Sequence, residues 1–501
     1  MASLMNSEAP ISHRWLIVLF LGAVIVSAST ALTSPVLGIA LMVLTGGVIC
    51  YLVWGTSLLL SAYVISVPAI AFAFNISPVS FGFQPSYLLG ILLAGSVILA
   101  NIKKKALYRL LWVKPNVYLT LFYIWVITLA IPLSMRIPTA ALSHVSEQPL
   151  CPSIKQGLYL TACIFVYYGL TIVIKNRETL NRCVRLYVWA SLFASLYGFY
   201  MMVAGQGYLP FYPVLNNNIS YSLSLGFNTR GFTRMTGPTP EPSVFASIII
   251  SAMTMVFVQL VSRGHILRGW RYYVILAING LAFILTFSRV GYLALVLIVF
   301  LLLFFLNPRQ LVKAMAVIVT SVVLITIGIL IFYPEAIGGT LARLDSLSRF
   351  NDHSTMVRWS GIVGGLNTFL HYPITGVGYG NYGFYHHLYA PGSTSLFQST
   401  PFPLTNSLVT RLLSETGSAG TFFLAQFALY IWRRVRWINK TANRQDRTMT
   451  LTLWGGIVSA AVALTVGTPD LTFMYSWLLL AMMVVQIRLV KRSLENGRGD
   501  V

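Results

Sequence analysis

Two short stretches contain the side chains best suited to chemistry on a phosphate. Arg234 and Glu241 lie in "RMTGPTPEPSVFA", and Arg289 lies in "FSRVGYLAL". A guanidinium group presents a planar fork of donors to phosphate oxygens, so fixed arginines can stabilise charge on a departing phosphate without a metal ion. Two prolines fix the backbone of Glu241. Its carboxylate could be the general base for an acceptor hydroxyl, or a salt-bridge partner that orients Arg234.

Arg289 lies inside an otherwise apolar tract, which is an unfavourable place for a charged side chain. Residues 272–306 form this tract. As one helix it would be about 52 Å long, whereas the hydrocarbon core of a bilayer is about 30 Å thick. An arginine at the bilayer centre would also cost at least ~2.5 kcal/mol. We therefore predict two spans that break at Ser288 and Arg289, which places Arg289 at a membrane surface on a tight helical hairpin.

Composition predicts an all-α polytopic membrane protein. Hydrophobic residues make up 56% of the 501 residues and charged residues only 9%, and apolar stretches of span length recur along the chain. The first is predicted to remain as an uncleaved helix. We predict about 14 transmembrane helices, near residues 15–32, 36–54, 56–74, 86–100, 117–134, 156–174, 186–203, 240–260, 272–287, 291–306, 314–332, 417–432, 449–467 and 472–487.

The distribution of lysine and arginine predicts the orientation. With both termini in the cytoplasm, 25 of the 34 basic residues fall in cytoplasmic segments, as the positive-inside rule requires. This placement also accounts for the net charge of +22. The basic residues are thus interpreted as topology signals and anchors for membrane lipids, and we expect no nucleic-acid partner.

The nine basic residues of the opposite face point to an anionic ligand there. Eight of them are arginine, the residue whose geometry suits phosphate and carboxylate oxygens. The alternative is that these arginines form structural ion pairs with acids of the same face. The acids available are Glu147, Glu241, Glu335, Asp345, Asp352, Glu415 and Asp470.

Two long outward segments divide the chain into five parts. Residues 1–203 are N-terminal transmembrane helices, and 204–239 form a periplasmic loop whose aromatic and amide side chains suit sugar rings. Residues 240–332 are central transmembrane helices that include the Arg289 hairpin. Residues 333–416 form a large periplasmic loop with a surface helix starting near Val357. Residues 417–501 are C-terminal transmembrane helices and a cytoplasmic tail.

Four motifs in order resemble the O-antigen ligase and polymerase superfamily. They are "RMTGPTPEPSVFA", "FSRVGYLAL", "DHSTMVRWSGIVGGLNTFLHYPITGVGYGNYG" and "NSLVTRLLSETGSAG". The resemblance implies a GT-C-like glycosyltransferase of the bacterial inner membrane, which acts on its periplasmic face with undecaprenyl pyrophosphate-linked glycan as donor. It also implies that Arg234 and Arg289 hold the pyrophosphate.

One position departs from the ligase pattern. Ligases of the superfamily carry a histidine followed by Asn, Ser or Gln, nine residues, and G-x-x-G. Gly417 and Gly420 match the end of that pattern, but Asn406 stands in place of the histidine. Because asparagine cannot accept a proton, we favour a repeat-unit polymerase over a ligase. A lipid-linked oligosaccharide flippase remains an alternative from another class.

The remaining site expectations concern the periplasmic segments. We expect Arg230, Arg358, His353 and Asn406 to bind substrate, with His353, His386 and His387 as rival bases. The glycine run at 376–383 is interpreted as turn packing, since it lacks the strand and helix context of a phosphate loop. We expect no metal and no cofactor. The expected partners are the lipid-linked glycan, membrane lipids and a chain-length regulator.

Overall fold

The structure is a computed structural model that describes part of the 501-residue chain. The described residues are 55–70, 74–76, 81–101, 114–142, 145, 148–205, 228–229, 232–288, 291–293, 295–296, 312, 316, 323, 327, 353–392, 402–467 and 470–496.

Helices dominate the described residues. In chain order they are α1 (Gly55–Ser66), α2 (Pro85–Asn101), α3 (Asn116–Ser134), α4 (Thr139–Leu142), α5 (Leu150–Val173), α6 (Arg177–Gly205), α7 (Pro242–Val261), α8 (Arg271–Leu285), α9 (His353–His371), α10 (Tyr382–Tyr389), α11 (Leu408–Thr441), α12 (Arg444–Val466) and α13 (Met474–Asn496). Two short antiparallel hairpins accompany them, Phe74–Ile76 with Phe81–Phe83 and Asn228–Thr229 with Phe232–Thr233.

The predicted class is confirmed: the chain is an all-α polytopic membrane protein. Among the described residues, α3, α5, α6, α7, α12 and α13 are long and apolar enough to cross a membrane. Helices α1, α2 and α8 are shorter and also apolar. The total of about fourteen spans stays a prediction, because the spans expected at 15–32, 36–54, 291–306 and 314–332 lie wholly or largely outside the described residues.

Helix α7 is the centre of the described bundle and is buried along most of its length. Its small polar side chains bond to neighbouring helices, which suits an interior where no water can satisfy them. The pairs are Ser247 with Tyr475 (2.9 Å), Tyr187 with Ser251 (2.6 Å), Thr254 with Ser459 (2.8 Å) and Gln259 with Thr452 (2.8 Å).

These bonds define the two ends of the bundle. Since Ser247 meets Tyr475, helices α7 and α13 begin at one end, which we call the site end. Gln259, near the end of α7, bonds to Thr452, near the start of α12. Helix α12 is therefore antiparallel to α7 and begins at the opposite end of the bundle, which we call the basic end. An ion pair between Arg177 and Asp446 (2.7 Å) lies at the basic end.

The predicted helix near Val357 is confirmed and begins earlier, at His353. It packs against α10 and α11. A separate small hydrophobic cluster joins this region to α4 and contains Ile137, Ala141, Val377, Phe384 and Tyr385. The described part of the predicted 333–416 segment therefore has a core of its own.

Candidate functional site

Arg234 lies at the C-terminal end of α8. Its Nε donates to the carbonyl of Thr286 (3.0 Å), and its Nη2 donates to the carbonyl of Phe287 (3.2 Å). The next residue is anchored to the same place, because the Met235 amide donates to the Leu285 carbonyl (2.9 Å). The last carbonyls of a helix lack partners within it and carry partial negative charge, so a guanidinium binds well there. The result is a half-buried cation fixed by neutral acceptors.

The predicted break in the apolar tract is confirmed at Ser288. Helix α8 ends at Leu285, and Phe287 adopts a left-handed φ of 46°. The Ser288 hydroxyl then accepts a hydrogen bond from the Gly291 amide (3.2 Å), and the Ser288 carbonyl accepts one from the Tyr292 amide (3.0 Å). This is the bonding of an N-cap residue. Arg234 thus contacts the two residues that precede this turn.

Arg289 and Arg230 lie outside the described residues. Their predicted roles therefore stay predictions. In the sequence, Arg289 directly follows Ser288.

Glu241 is the N-cap of α7. Its backbone is extended (φ −137°, ψ 147°), and Pro242 occupies the first helical turn, where a missing amide costs no helical hydrogen bond. The Ser243 hydroxyl donates to Oε2 of Glu241 (3.1 Å). The partial positive charge at a helix N-terminus favours a carboxylate there. The half-buried acid therefore lies at the site end with its main chain fixed by the helix it begins.

One hydrophobic cluster supports Arg234, Glu241 and the turn together. Met235, Phe245, Phe283 and Phe287 are buried in it. Gly237, with φ of 54°, allows the chain to pass the Phe245 ring, since a β-carbon there would lie 2.4 Å from it. The predicted pair of Arg234 and Glu241 is thus brought to adjoining helix ends. Their bonds differ, because Arg234 donates to main-chain carbonyls and Glu241 accepts from Ser243.

The predicted substrate residue Asn406 contacts the helix that carries Arg358, another predicted substrate residue. The Asn406 amide donates to the carbonyl of Val357 (3.3 Å) on α9, beside the half-buried Arg358. Gly361 permits this contact, because a β-carbon there would lie 2.7 Å from Nδ2 of Asn406. His353 begins the same helix, although its side chain lies outside the described residues. Asn406 therefore donates a hydrogen bond that connects the segment before α11 to α9.

The rival histidines differ in environment. His386 is buried, and its Nδ1 lies 2.9 Å from the Tyr382 hydroxyl, which donates to the Gly361 carbonyl. Burial, with a smaller contribution from His387, lowers the pKa of His386 to about 4. His386 is then neutral at physiological pH and a weak base. His387 is half-buried, and its Nε2 lies 2.8 Å from the Ala140 carbonyl.

A buried ion cluster near the start of α11 was only partly predicted. Arg411 bonds to Glu415 (Nε to Oε2, 3.1 Å) and pairs with Asp470 (Nη1 to Oδ1, 3.5 Å), and its guanidinium lies 5.4 Å from the centre of the Tyr379 ring. The side chains of Arg411 and Glu415 are each 1% exposed. The alternative that these arginines form structural ion pairs with acids is confirmed for Arg411, whereas the predicted outward orientation stays a prediction.

The glycine run explains how this cluster is held. Helix α11 is kinked at Gly417 (φ 67°, ψ −170°), which removes helical partners from nearby main-chain groups. The loop supplies replacements, since the amides of Val377 and Gly378 donate to the carbonyls of Ser414 (2.8 Å) and Glu415 (3.0 Å). The interpretation of the run as turn packing is confirmed.

Part of the chain matches a known protein family. Residues 273–425 match the family model described as O-Antigen ligase. The matched part starts within α8 and includes Arg289, Arg358, Asn406 and Arg411. No curated protein matches the chain. The match confirms the resemblance to the O-antigen ligase and polymerase superfamily.

Proposed function

We propose that this protein is a member of the O-antigen ligase and polymerase superfamily that polymerises undecaprenyl pyrophosphate-linked repeat units at the periplasmic face of the bacterial inner membrane. In this reaction a growing glycan leaves one lipid pyrophosphate and joins the sugar end of another lipid-linked unit. The donor's bond from its anomeric carbon to the pyrophosphate oxygen breaks, and a bond from that carbon to the acceptor oxygen forms. The acceptor hydroxyl gives up its proton.

The observation that carries the proposal is the position of Arg234. Its guanidinium is held against the carbonyls of Thr286 and Phe287, which precede Arg289 in the sequence by three and two positions. Neutral carbonyls orient a guanidinium without cancelling its charge, and a guanidinium is a strong donor to phosphate oxygens. A fixed cation at a helix end can stabilise the charge that develops on a departing pyrophosphate. We assign the same role to Arg289.

Glu241 is the proposed general base. It lies at the start of α7 at the site end, next to the hydrophobic cluster that also holds Arg234. A carboxylate in this position accepts the proton of the attacking hydroxyl as the new bond forms. Arg230, Arg358, His353 and Asn406 are proposed to bind the glycan or its pyrophosphate. The reaction as drawn uses no metal or cofactor.

The bonding of Asn406 supports polymerisation over ligation. In the ligase pattern this position is a histidine, which can accept a proton. Here the amide donates to the Val357 carbonyl, a bond that needs no titratable group. Ligation to a lipid A-core or another acceptor is the second candidate.

The two candidate reactions give different products. Purified protein incubated with a lipid pyrophosphate-linked repeat should yield a ladder of glycans on a gel. Addition of a single glycan block to a different acceptor would instead establish ligation. Flux of the lipid-linked unit across liposomes, without any extension, would establish a flippase and refute the proposed reaction.

A further inference from the structure

We infer that a pocket at the basic end binds the phosphate group of an anionic phospholipid. The pocket is a cavity of about 490 Å³ formed where α3 begins and where α11 and α13 approach their ends. Five cations and one carboxylate line it among the described residues. They are Lys114, Arg434, Arg488, Lys491, Arg492 and Glu495.

The charges of the lining do not balance. Glu495 lies 3.6 Å from Lys491, in an exposed pair. With five cations against one carboxylate, the lining carries an excess of positive charge. The cations come from three separate stretches of sequence, and the fold brings them to one cavity. Clustered cations between helices on the cytoplasmic side are the arrangement that recognises anionic headgroups.

Arg488 gives the pocket a fixed donor. Its Nη2 donates to the carbonyls of Thr171 (2.7 Å) and Ile174 (2.9 Å) at the end of α5. These bonds hold the guanidinium in place. Its Nε is buried and has no hydrogen-bond partner among the described residues. A buried donor without a partner costs free energy, and a phosphate oxygen is the kind of acceptor that would remove that cost.

The rest of the lining suits a lipid better than free phosphate. Arg434 lies over the rings of Tyr430 (5.3 Å) and Trp437 (5.6 Å), which also line the cavity. Tyrosine and tryptophan favour the depth of lipid headgroups. Val484 and Ile487 of α13 add apolar surface to the lining. Cations beside apolar side chains match a phosphate joined to acyl chains. This pocket lies at the opposite end from Arg234, so the inference does not depend on the proposed function.

The test measures binding of dioleoylphosphatidylglycerol to the purified full-length protein in detergent. Dioleoylphosphatidylcholine and inorganic phosphate are the comparison probes. The pocket variant is Arg434→Gln with Lys491→Gln, and the matched control is Arg433→Gln with Lys440→Gln, two exposed cations of α11 outside the pocket. Each cation near a membrane surface contributes roughly fivefold to affinity, so the pocket variant should bind phosphatidylglycerol about 25-fold more weakly. The control should stay within about twofold of wild type.

Several results would overturn the inference. They are equal binding of phosphatidylcholine, an equal loss in the control variant, or wild-type affinity in the pocket variant. Inorganic phosphate that competes at the same concentration as phosphatidylglycerol would assign the pocket to free phosphate instead. Melting curves without lipid check folding, and if the double variant unfolds, the exposed Lys491→Gln variant alone is expected to show about a fivefold loss.

Discussion

Two arginines at the site end have opposite environments. Arg234 is half-buried and donates to neutral carbonyls, whereas Arg411 is 1% exposed and lies between two carboxylates. A guanidinium neutralised by Glu415 and Asp470 and shut off from solvent is part of the scaffold. The bonds from Arg234 to the Thr286 and Phe287 carbonyls orient its guanidinium without a change in its charge. Residue type and position in the sequence alone do not separate the two cases.

Removal of Arg411 should have the largest effect on stability. Arg411→Met leaves Glu415 buried without its charge partner, and loss of one member of such a pair costs about 3–5 kcal/mol. We expect a much lower melting temperature in detergent, with activity lost through unfolding. The control is Arg433→Met at an exposed position of the same helix, expected within about 0.5 kcal/mol of wild type. If Arg411→Met melted normally and still lost activity, Arg411 would join Arg234 as a ligand-binding residue.

The kink at Gly417 gives the next largest effect. A β-carbon there would lie 2.1 Å from the Ile374 carbonyl oxygen, and its φ of 67° disfavours other residues. Gly417→Ala should therefore cost about 2 kcal/mol or more in the free energy of unfolding. Gly95 is the matched control, because it lies in α2 and a β-carbon added there would meet no atom within 4 Å. Gly95→Ala should be neutral or stabilise by up to about 1 kcal/mol. Equal effects of the two changes would contradict the contact between the glycine loop and α11.

His386 should make the stability depend on pH. Burial lowers its folded-state pKa to about 4, below the usual 6.5. Between these values the unfolded chain binds more protons, so stability should fall as pH is lowered from about 6.5 to about 4. Melting curves across this range should show a weaker slope for His386→Gln than for wild type. His371→Gln, at an exposed histidine, should keep the wild-type slope.

Asn406 should give the smallest effect. Asn406→Ala removes one hydrogen bond to Val357, worth about 1 kcal/mol, or roughly fivefold in rate if it positions the site. A measurable fraction of glycan extension should remain, with an unchanged pH profile. Glu241→Gln should be far more severe. If Asn406→Ala abolished activity as completely as Glu241→Gln, that result would indicate that Asn406 takes part directly in the reaction.

Local features of the site could be predicted from the sequence, and its long-range pairs could not. The excess length of the apolar tract located the break at Ser288, and the apolar stretch predicted near 240–260 corresponds to α7. Such local reasoning could not identify Asp470 as a partner of Arg411. Asp470 lies 59 residues away from it in sequence, and the pair depends on how α11, kinked at Gly417, packs beside the start of α13. The glycine run was predicted to be a turn, but its contact with the kink follows from the same packing.

The most direct test of the central claim is the glycan-extension rate of Arg234→Lys and Arg234→Ala, measured with varied donor concentration alongside melting temperature. Lysine keeps the charge but loses the fork that bonds both the Thr286 and Phe287 carbonyls. We predict a loss of roughly 100-fold or more in both variants, with melting temperatures near wild type. A lysine variant as active as wild type, or an alanine variant inactive only because it unfolds, would contradict the assignment of Arg234 to the pyrophosphate.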